Sequence, residues 1–189
     1  MTTDSDDEIR IRCSTPELLA MPFVRYLFSR KEKRSSSRGL GLVTKGIWAM
    51  FEPSQAKTIL YYIGRMAGRE ISEATEKEYN TKKAKTWPEL LGNIEIFCDL
   101  LAGSRATVTD VSSNRAIIKL YDSPSCYKVS GFPKPCCDYM AGIFASLPAY
   151  DFDGVQATCR ELECRGVDQR LPHCTFELRV TWPDGKPPL

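Results

Sequence analysis

Cys174-Thr175-Phe176-Glu177-Leu178-Arg179-Val180-Thr181 alternates apolar and polar side chains, and Val155-Gln156-Ala157-Thr158-Cys159-Arg160 does the same upstream. A period of two is that of a half-buried strand. Read as an antiparallel pair, the two strands bring the end of the first beside the start of the second. That corner holds Glu161, Cys164 and Cys174. Upstream, Pro135-Cys136-Cys137-Asp138 opens a helix expected to run to Leu147, with Pro148 beyond its end. Laying the start of this helix on the corner adds Cys137, and the partial positive charge of a helix N-terminus favours a thiolate there. Zinc takes Cys sulfur and carboxylate oxygen, with four ligands in a tetrahedron. The reading is a closed structural zinc site of Cys137, Glu161, Cys164 and Cys174, with Cys136, Cys159 and His173 as alternative ligands. In an ideal strand Glu161 and Cys164 face opposite ways, so the chain must turn between them, and Gly166 lies close to such a turn. Against the metal stands the plain alternative that buried cysteines pack as small hydrophobes. A Cys164–Cys174 disulfide remains open for a thermophile's protein.

Working back from the corner, the middle of the chain reads as a hairpin, Ala106–Val111 with Ser113–Tyr121. Before it come helices. Trp87-Pro88-Glu89 opens one carrying Leu90, Leu91, Ile94, Phe97, Leu100 and Leu101, with Gly103 as its stop. Pro53-Ser54-Gln55 opens another, whose Ile59, Leu60, Ile63, Met66 and Ala67 form one apolar face. Gly64 and Gly68 sit four apart on it, each costing ~1 kcal/mol against Ala in a helix interior. A close approach of another backbone or a ligand would offset that. Gly39–Val43 is a short strand candidate, and Gly46–Phe51 a helical turn. Thr15-Pro16-Glu17 has the cap, proline and acid of a helix start, followed by the very apolar Leu18–Phe28, expected to pack on a partner chain, such as a second copy, or to cap the domain. Residues 1–14 read as a disordered acidic tail, residues 15–38 as an N-terminal helix and basic linker, 39–183 as the domain and 184–189 as a tail. Helices first and an antiparallel sheet afterwards make the fold class α+β.

Composition narrows the function classes. A chain of 189 residues with 42% hydrophobic and 26% charged residues fits one globular domain. A net charge of +2 gives no reason to expect direct nucleic-acid binding. No run approaches the ~20 apolar residues of a membrane span, and the acidic N-terminus lacks a signal peptide's apolar core. The expected location is cytoplasmic, where eight cysteines favour metal binding or burial over disulfides.

The spacing Pro-x-Cys…Gly over Pro135, Cys137 and Gly142, then Glu-x-x-Cys-x-Gly over Glu161–Gly166, then Cys-x-Phe over Cys174–Phe176, resembles the 4-vinyl-reductase domain family. Ile63-Gly64-Arg65-Met66-Ala67-Gly68 is similar to that family's first long helix, and Asn114–Ser123 to its central strand. The resemblance spans roughly residues 40–182. It implies N-terminal helices packed on an antiparallel sheet, a fold related to the sensory domains of aromatic-catabolism activators and to TRAPP-type tethering subunits. It further implies a homodimer with an internal apolar pocket. In the aromatic-sensing members the matching Cys, Glu, Cys and Cys bind a structural zinc. The loop from Gly166 to Cys174 is longer than the family's usual form, and the single histidine, His173, is placed beside the metal rather than in a pocket.

The functional expectation is therefore a hydrophobic- or aromatic-ligand-binding sensor domain with a structural zinc. Tyr61, Gly64, Met66, Gly68, Phe97 and Phe144 are the candidate pocket residues. One alternative is an accessory protein or reductase acting on a vinyl tetrapyrrole in chlorophyll-type biosynthesis. No dinucleotide fingerprint follows a strand, and a lone histidine narrows acid–base options near neutral pH. The other alternative is a structural subunit of a tethering or similar assembly.

Overall fold

In the computed structural model the described residues are 33–79, 82–98 and 104–188. They form helices α1 (Lys33–Met50), α2 (Pro53–Tyr79), α3 (Trp87–Phe97) and α4 (Asp138–Asp151), with strands β1 (Ala106–Thr109), β2 (Arg115–Leu120), β3 (Gln156–Glu163) and β4 (Cys174–Thr181). The strands make one antiparallel sheet in the order β1-β2-β4-β3, so the architecture is α+β. The acidic tail, the Leu18–Phe28 segment, residues 30–32 of the basic linker, and Leu100, Leu101 and Gly103 lie outside the described residues.

Alternation sets the sheet's faces. Ala116, Ile118 and Leu120 of β2 stand opposite Leu178, Phe176 and Cys174 of β4 and are buried toward the helices. On the other face Glu177 receives Arg115 Nε at 2.7 Å, Arg160 Nε at 2.8 Å and a terminal guanidinium nitrogen of Arg179 at 3.0 Å. Hydrogen bonds from Arg179 and Arg115, with Arg160 behind them, hold its carboxyl down at about 2.

α4 is the central element. Every residue from Tyr139 to Pro148 is buried, as expected of a helix that is apolar all round. It packs on β3 and β4 on one side and on α2 on the other. Phe144 meets Phe176 of β4 edge to face, with ring centroids 5.3 Å apart. Toward α2 the contact runs through small residues. A methyl group at Gly64 would lie 2.0 Å from the Tyr139 carbonyl oxygen, and one at Gly142 would lie 2.1 Å from that of Tyr61. The two backbones therefore touch through their glycines, and it is a helix rather than a ligand that offsets the helical cost of Gly64 and Gly68.

α3 starts as its sequence suggests. Thr86 Oγ1 accepts from the Glu89 amide and Glu89 Oε2 accepts from the Thr86 amide, a capping box ahead of Pro88.

Three local expectations are corrected. Residues 33–38 of the basic linker and the strand candidate Gly39–Val43 belong to one helix, α1. Leu40 and Thr44 are buried, and Ile47 and Trp48 pack on the core. That spacing of four, seven and eight is helical, and it outweighs a brief alternation of Gly and Leu. One helix thus crosses the expected boundary at 38/39. α4 begins at Asp138 rather than Pro135, with Cys137 at its N-cap. It also runs past Pro148 to Asp151, because a proline in the final turn forfeits only one intrahelical bond. Among the described residues no helix is long and apolar enough to cross a membrane.

Candidate metal centre and cavities

Four chain segments deliver thiols to one corner of the sheet. Cys174 is the first residue of β4 and pairs with Leu120, the last of β2. The loop leaving β2 carries Cys126. Cys137 is the N-cap of α4. Cys164 follows β3 and closes a turn, its carbonyl accepting from the Val167 and Asp168 amides at 3.0 and 3.1 Å.

A bulge in β3 removes the difficulty of opposed faces. Glu161 pairs with Phe176, but Glu163 pairs with Thr175, so Leu162 is the extra residue. One inserted residue inverts the strand's alternation beyond it, and Cys164 turns to the side that Glu161 faces.

The Sγ atoms of Cys126, Cys137, Cys164 and Cys174 all lie within 4.8 Å of one another, and all four residues are buried. Cys126–Cys174 is 3.6 Å, and Cys137–Cys164 and Cys137–Cys174 are 3.8 Å. Four sulfurs about 2.3 Å from one tetrahedral ion are about 3.8 Å apart along each edge. The cluster thus has the dimensions of a single tetrathiolate site. An iron–sulfur cluster puts inorganic sulfide and several irons between its thiolates and needs a wider spread. Two further donors point at the sulfurs. The Arg165 amide donates to Cys174 Sγ at 3.4 Å, and Ser123 Oγ to Cys137 Sγ at 3.3 Å. Such outer contacts orient and stabilise thiolate ligands. Hydrogen bonding with Cys126, Cys136, Cys137 and Cys174 favours the thiolate of Cys164 and holds its pKa below the ordinary thiol value. Burial drives Cys137 the other way.

The other residues singled out in the sequence are distributed as follows. Glu161 stands beside the four sulfurs. Its Oε2 accepts from the Cys137 amide at 2.7 Å, while Oε1 is buried with no hydrogen-bond partner among the described residues. Burial, then the charge of Cys164, raises its pKa well above the carboxylate range. Cys136 Sγ lies 3.6 Å from Cys164 Sγ but outside the mutual group of four. Cys159 is buried on the inner face of β3, its amide directed at Tyr61 Oη. His173 sits on the ring of Tyr121, with Nδ1 3.3 Å from Thr175 Oγ1. Cys126 is the member of this sulfur group that sequence reasoning missed.

The six candidate pocket residues do not gather around one space. Gly64 and Gly68 are filled by α4, Phe144 is core, and Tyr61 and Met66 line none of the main cavities among the described residues. Phe97 lines one of these cavities, of about 120 Å³ between α2, α3 and α4, with Leu90, Ile96 and Leu147 on its apolar side. Its polar end holds Glu76 and Tyr150, whose hydroxyl donates to the Glu76 carboxylate.

Asp151 borders this cavity. Burial pushes its carboxyl up to about 6, against the opposing pull of the Ala84 amide and Lys83. The folded pKa lies above the unfolded one. The protonated acid's contribution to stability is therefore present at low pH and is lost as pH rises from about 4 through about 6. Asp151→Asn is expected to flatten that decline. Thermal melts of both proteins between pH 4 and 7 check this, and parallel curves would remove Asp151 as the cause.

No protein-family model matches the chain, and no curated protein matches it in sequence. Solved structures do match in fold. Subunit 3 of the trafficking protein particle complex from Naegleria fowleri, solved covalently bound to palmitic acid, matches with a TM-score of 0.62 at 15% identity, over 88% of this chain and 95% of that one. The phenol-responsive sensory domain of the transcription activator PoxR, solved with phenol, matches with a TM-score of 0.56 at 20% identity, over 79% of this chain and 77% of that one. The chain thus has the α+β fold of a TRAPP subunit and of an aromatic-sensing domain.

Proposed function

We propose that the chain is a small-molecule-binding module of the 4-vinyl-reductase-domain type, its sheet corner pinned by a structural zinc ion. The observation that carries the metal is the group of four buried sulfurs at tetrahedral spacing. Cys126, Cys137, Cys164 and Cys174 would hold the ion. With four protein ligands it has no open position for water, and it would tie the loop after β2, the start of α4 and the β3–β4 connection together. Soft thiolate donors in a tetrahedron suit zinc among the common divalent ions.

The ligand reading is supported by the fold and by the cavity between α2, α3 and α4. Both fold neighbours were solved with an apolar or aromatic guest. At about 120 Å³ the cavity is smaller than the ~300 Å³ lower end of drug-sized sites. It suits a one-ring molecule, with Glu76 and Tyr150 available to its polar group. His173 stands at the metal corner, so a phenol here would be held by a carboxylate and a tyrosine instead of a histidine. The test takes the full chain as purified, first by native mass spectrometry for one zinc per chain, then by thermal shift with phenol, cresols and medium-chain fatty acids. A shift with the one-ring compounds, abolished by Leu147→Trp, is the expected result. No shift with any of them on zinc-loaded protein would sink the ligand reading and leave the metal untouched.

Assembly in the manner of a trafficking subunit is the second reading. α1 exposes Leu42 and Met50, and Phe51 follows it, also exposed. Light scattering of the purified chain tests it, a monomer at micromolar concentration counting against it.

A further inference from the structure

A tetrahedral ion uses four of the five thiols at this corner. The fifth, Cys136, is completely buried, with its Sγ 3.6 Å from that of Cys164. The proposed metal does not require a thiol there. Its sulfur lies against Gly166 in the turn that follows Cys164. A methyl at Gly166 would sit 3.0 Å from it, and the flanking residues Arg165 and Val167 are exposed. Gly166 is itself buried, with Cys126 Cβ and Phe132 as near to that methyl position as the sulfur is, so the two sulfurs are enclosed together and a small hydroperoxide would reach them through the motion of this turn.

We propose that Cys136 and Cys164 form a hydroperoxide-oxidation site in which Cys136 is the resolving thiol. The proposal rests on the four-thiolate reading of the neighbouring cysteines. The Cys164 thiolate sulfur attacks one peroxide oxygen. The O–O bond breaks, hydroxide (or alkoxide) leaves, and Cys164 becomes a sulfenic acid. The Cys136 sulfur then attacks the Cys164 sulfur. The S–S bond forms, the S–O bond breaks, and the departing hydroxide takes the Cys136 proton as water. Two sulfurs together lose two electrons, and the peroxide gains them. The ion loses the thiolate that anchors the β3 end of the site, so oxidation is coupled to metal release. Without Cys136 the sulfenic acid would have no partner outside the ligand set and would go on to the sulfinic acid, which thiols do not reverse.

The experiment treats full-length, zinc-loaded protein with a small excess of hydrogen peroxide. Zinc release is followed with a chromophoric chelator, and disulfides are mapped by non-reducing peptide mass spectrometry. The expected result is zinc release with a Cys136–Cys164 linked peptide, both undone by dithiothreitol and added zinc. Cys136→Ala should bind zinc as the parent does, release it severalfold more slowly, and end irreversibly oxidised at Cys164. Should the alanine variant fold poorly, Cys136→Ser serves, and mapping on the parent stands by itself. A disulfide elsewhere, such as Cys126–Cys174, or equal and equally reversible release in the variant, overturns the proposal. If the protein carries no zinc, the four-thiolate reading fails separately. The Cys136–Cys164 peptide then still supports the pairing by its presence and sinks it by its absence.

Discussion

Gly64→Ala should destabilise the protein by about 3 kcal/mol or more, which for a chain of this length lowers Tm by roughly 6–12 °C. On intrinsic propensity alone the change should stabilise, since Ala is better than Gly in a helix interior by ~1 kcal/mol. Space reverses the sign. The new Cβ would meet the Tyr139 carbonyl oxygen at 2.0 Å, its carbon at 2.9 Å and the Tyr139 Cα at 3.1 Å. All three are backbone atoms of α4 and none can swing away. Relief requires α2 and α4 to separate, which would loosen the packing of the central helix as a whole. Gly92 is the control. It lies inside α3 with no atom within 4 Å of a Cβ, so Gly92→Ala should gain up to about 1 kcal/mol. Opposite signs from the same substitution isolate the contact. Melting curves of the two variants decide it, and a neutral or stabilised Gly64→Ala would mean that the helices do not touch as described.

Periodicity carried most of the fold. The alternation in β3 and β4 and the apolar faces of α2 and α3 were legible because each repeats over two or more turns or pairs. Gly39–Val43 was misread because five residues cannot distinguish a glycine-rich helical segment from a strand, and its helical partners Thr44, Ile47 and Trp48 lie just beyond. The candidate pocket residues were chosen on a different kind of signal. Phe144 and Tyr61 are side chains that any core would use, and only the packing of α4 reveals that Phe144 is committed to Phe176. Three of the four clustered thiols were legible from the β3–β4 connection and the helix after Pro135. Cys126 was not, because it lies in a loop outside every periodic segment and every quoted motif. Its placement depends on β2 lying beside β4, a pairing between residues more than fifty apart. Given the Leu120–Cys174 register, a cysteine six residues past the end of β2 falls naturally at that corner.

Cys126 therefore supplies the sharpest test of the metal centre, set against Glu161. Cys164→Ser and Cys126→Ser should each strip most of the zinc on dialysis against a chelator. A thousandfold loss of affinity corresponds to about 4 kcal/mol. Because metal binding and folding are coupled, that loss should appear as a fall in Tm of roughly 8–16 °C. Glu161→Gln should keep its zinc. The amide oxygen can still accept from the Cys137 N–H, as Oε2 does, and the substitution removes a carboxyl that burial already drives toward its neutral form. The opposite outcome is equally readable. Oε1 of Glu161 is buried with no hydrogen-bond partner among the described residues, and a ligand exchange with Cys126 would give it one. Zinc lost in Glu161→Gln and kept in Cys126→Ser would make the donors Cys137, Glu161, Cys164 and Cys174, with Cys126 a neighbouring thiol. Elemental analysis of the three variants, each beside its melting curve, separates the two donor sets, because each set assigns a different variant to zinc retention.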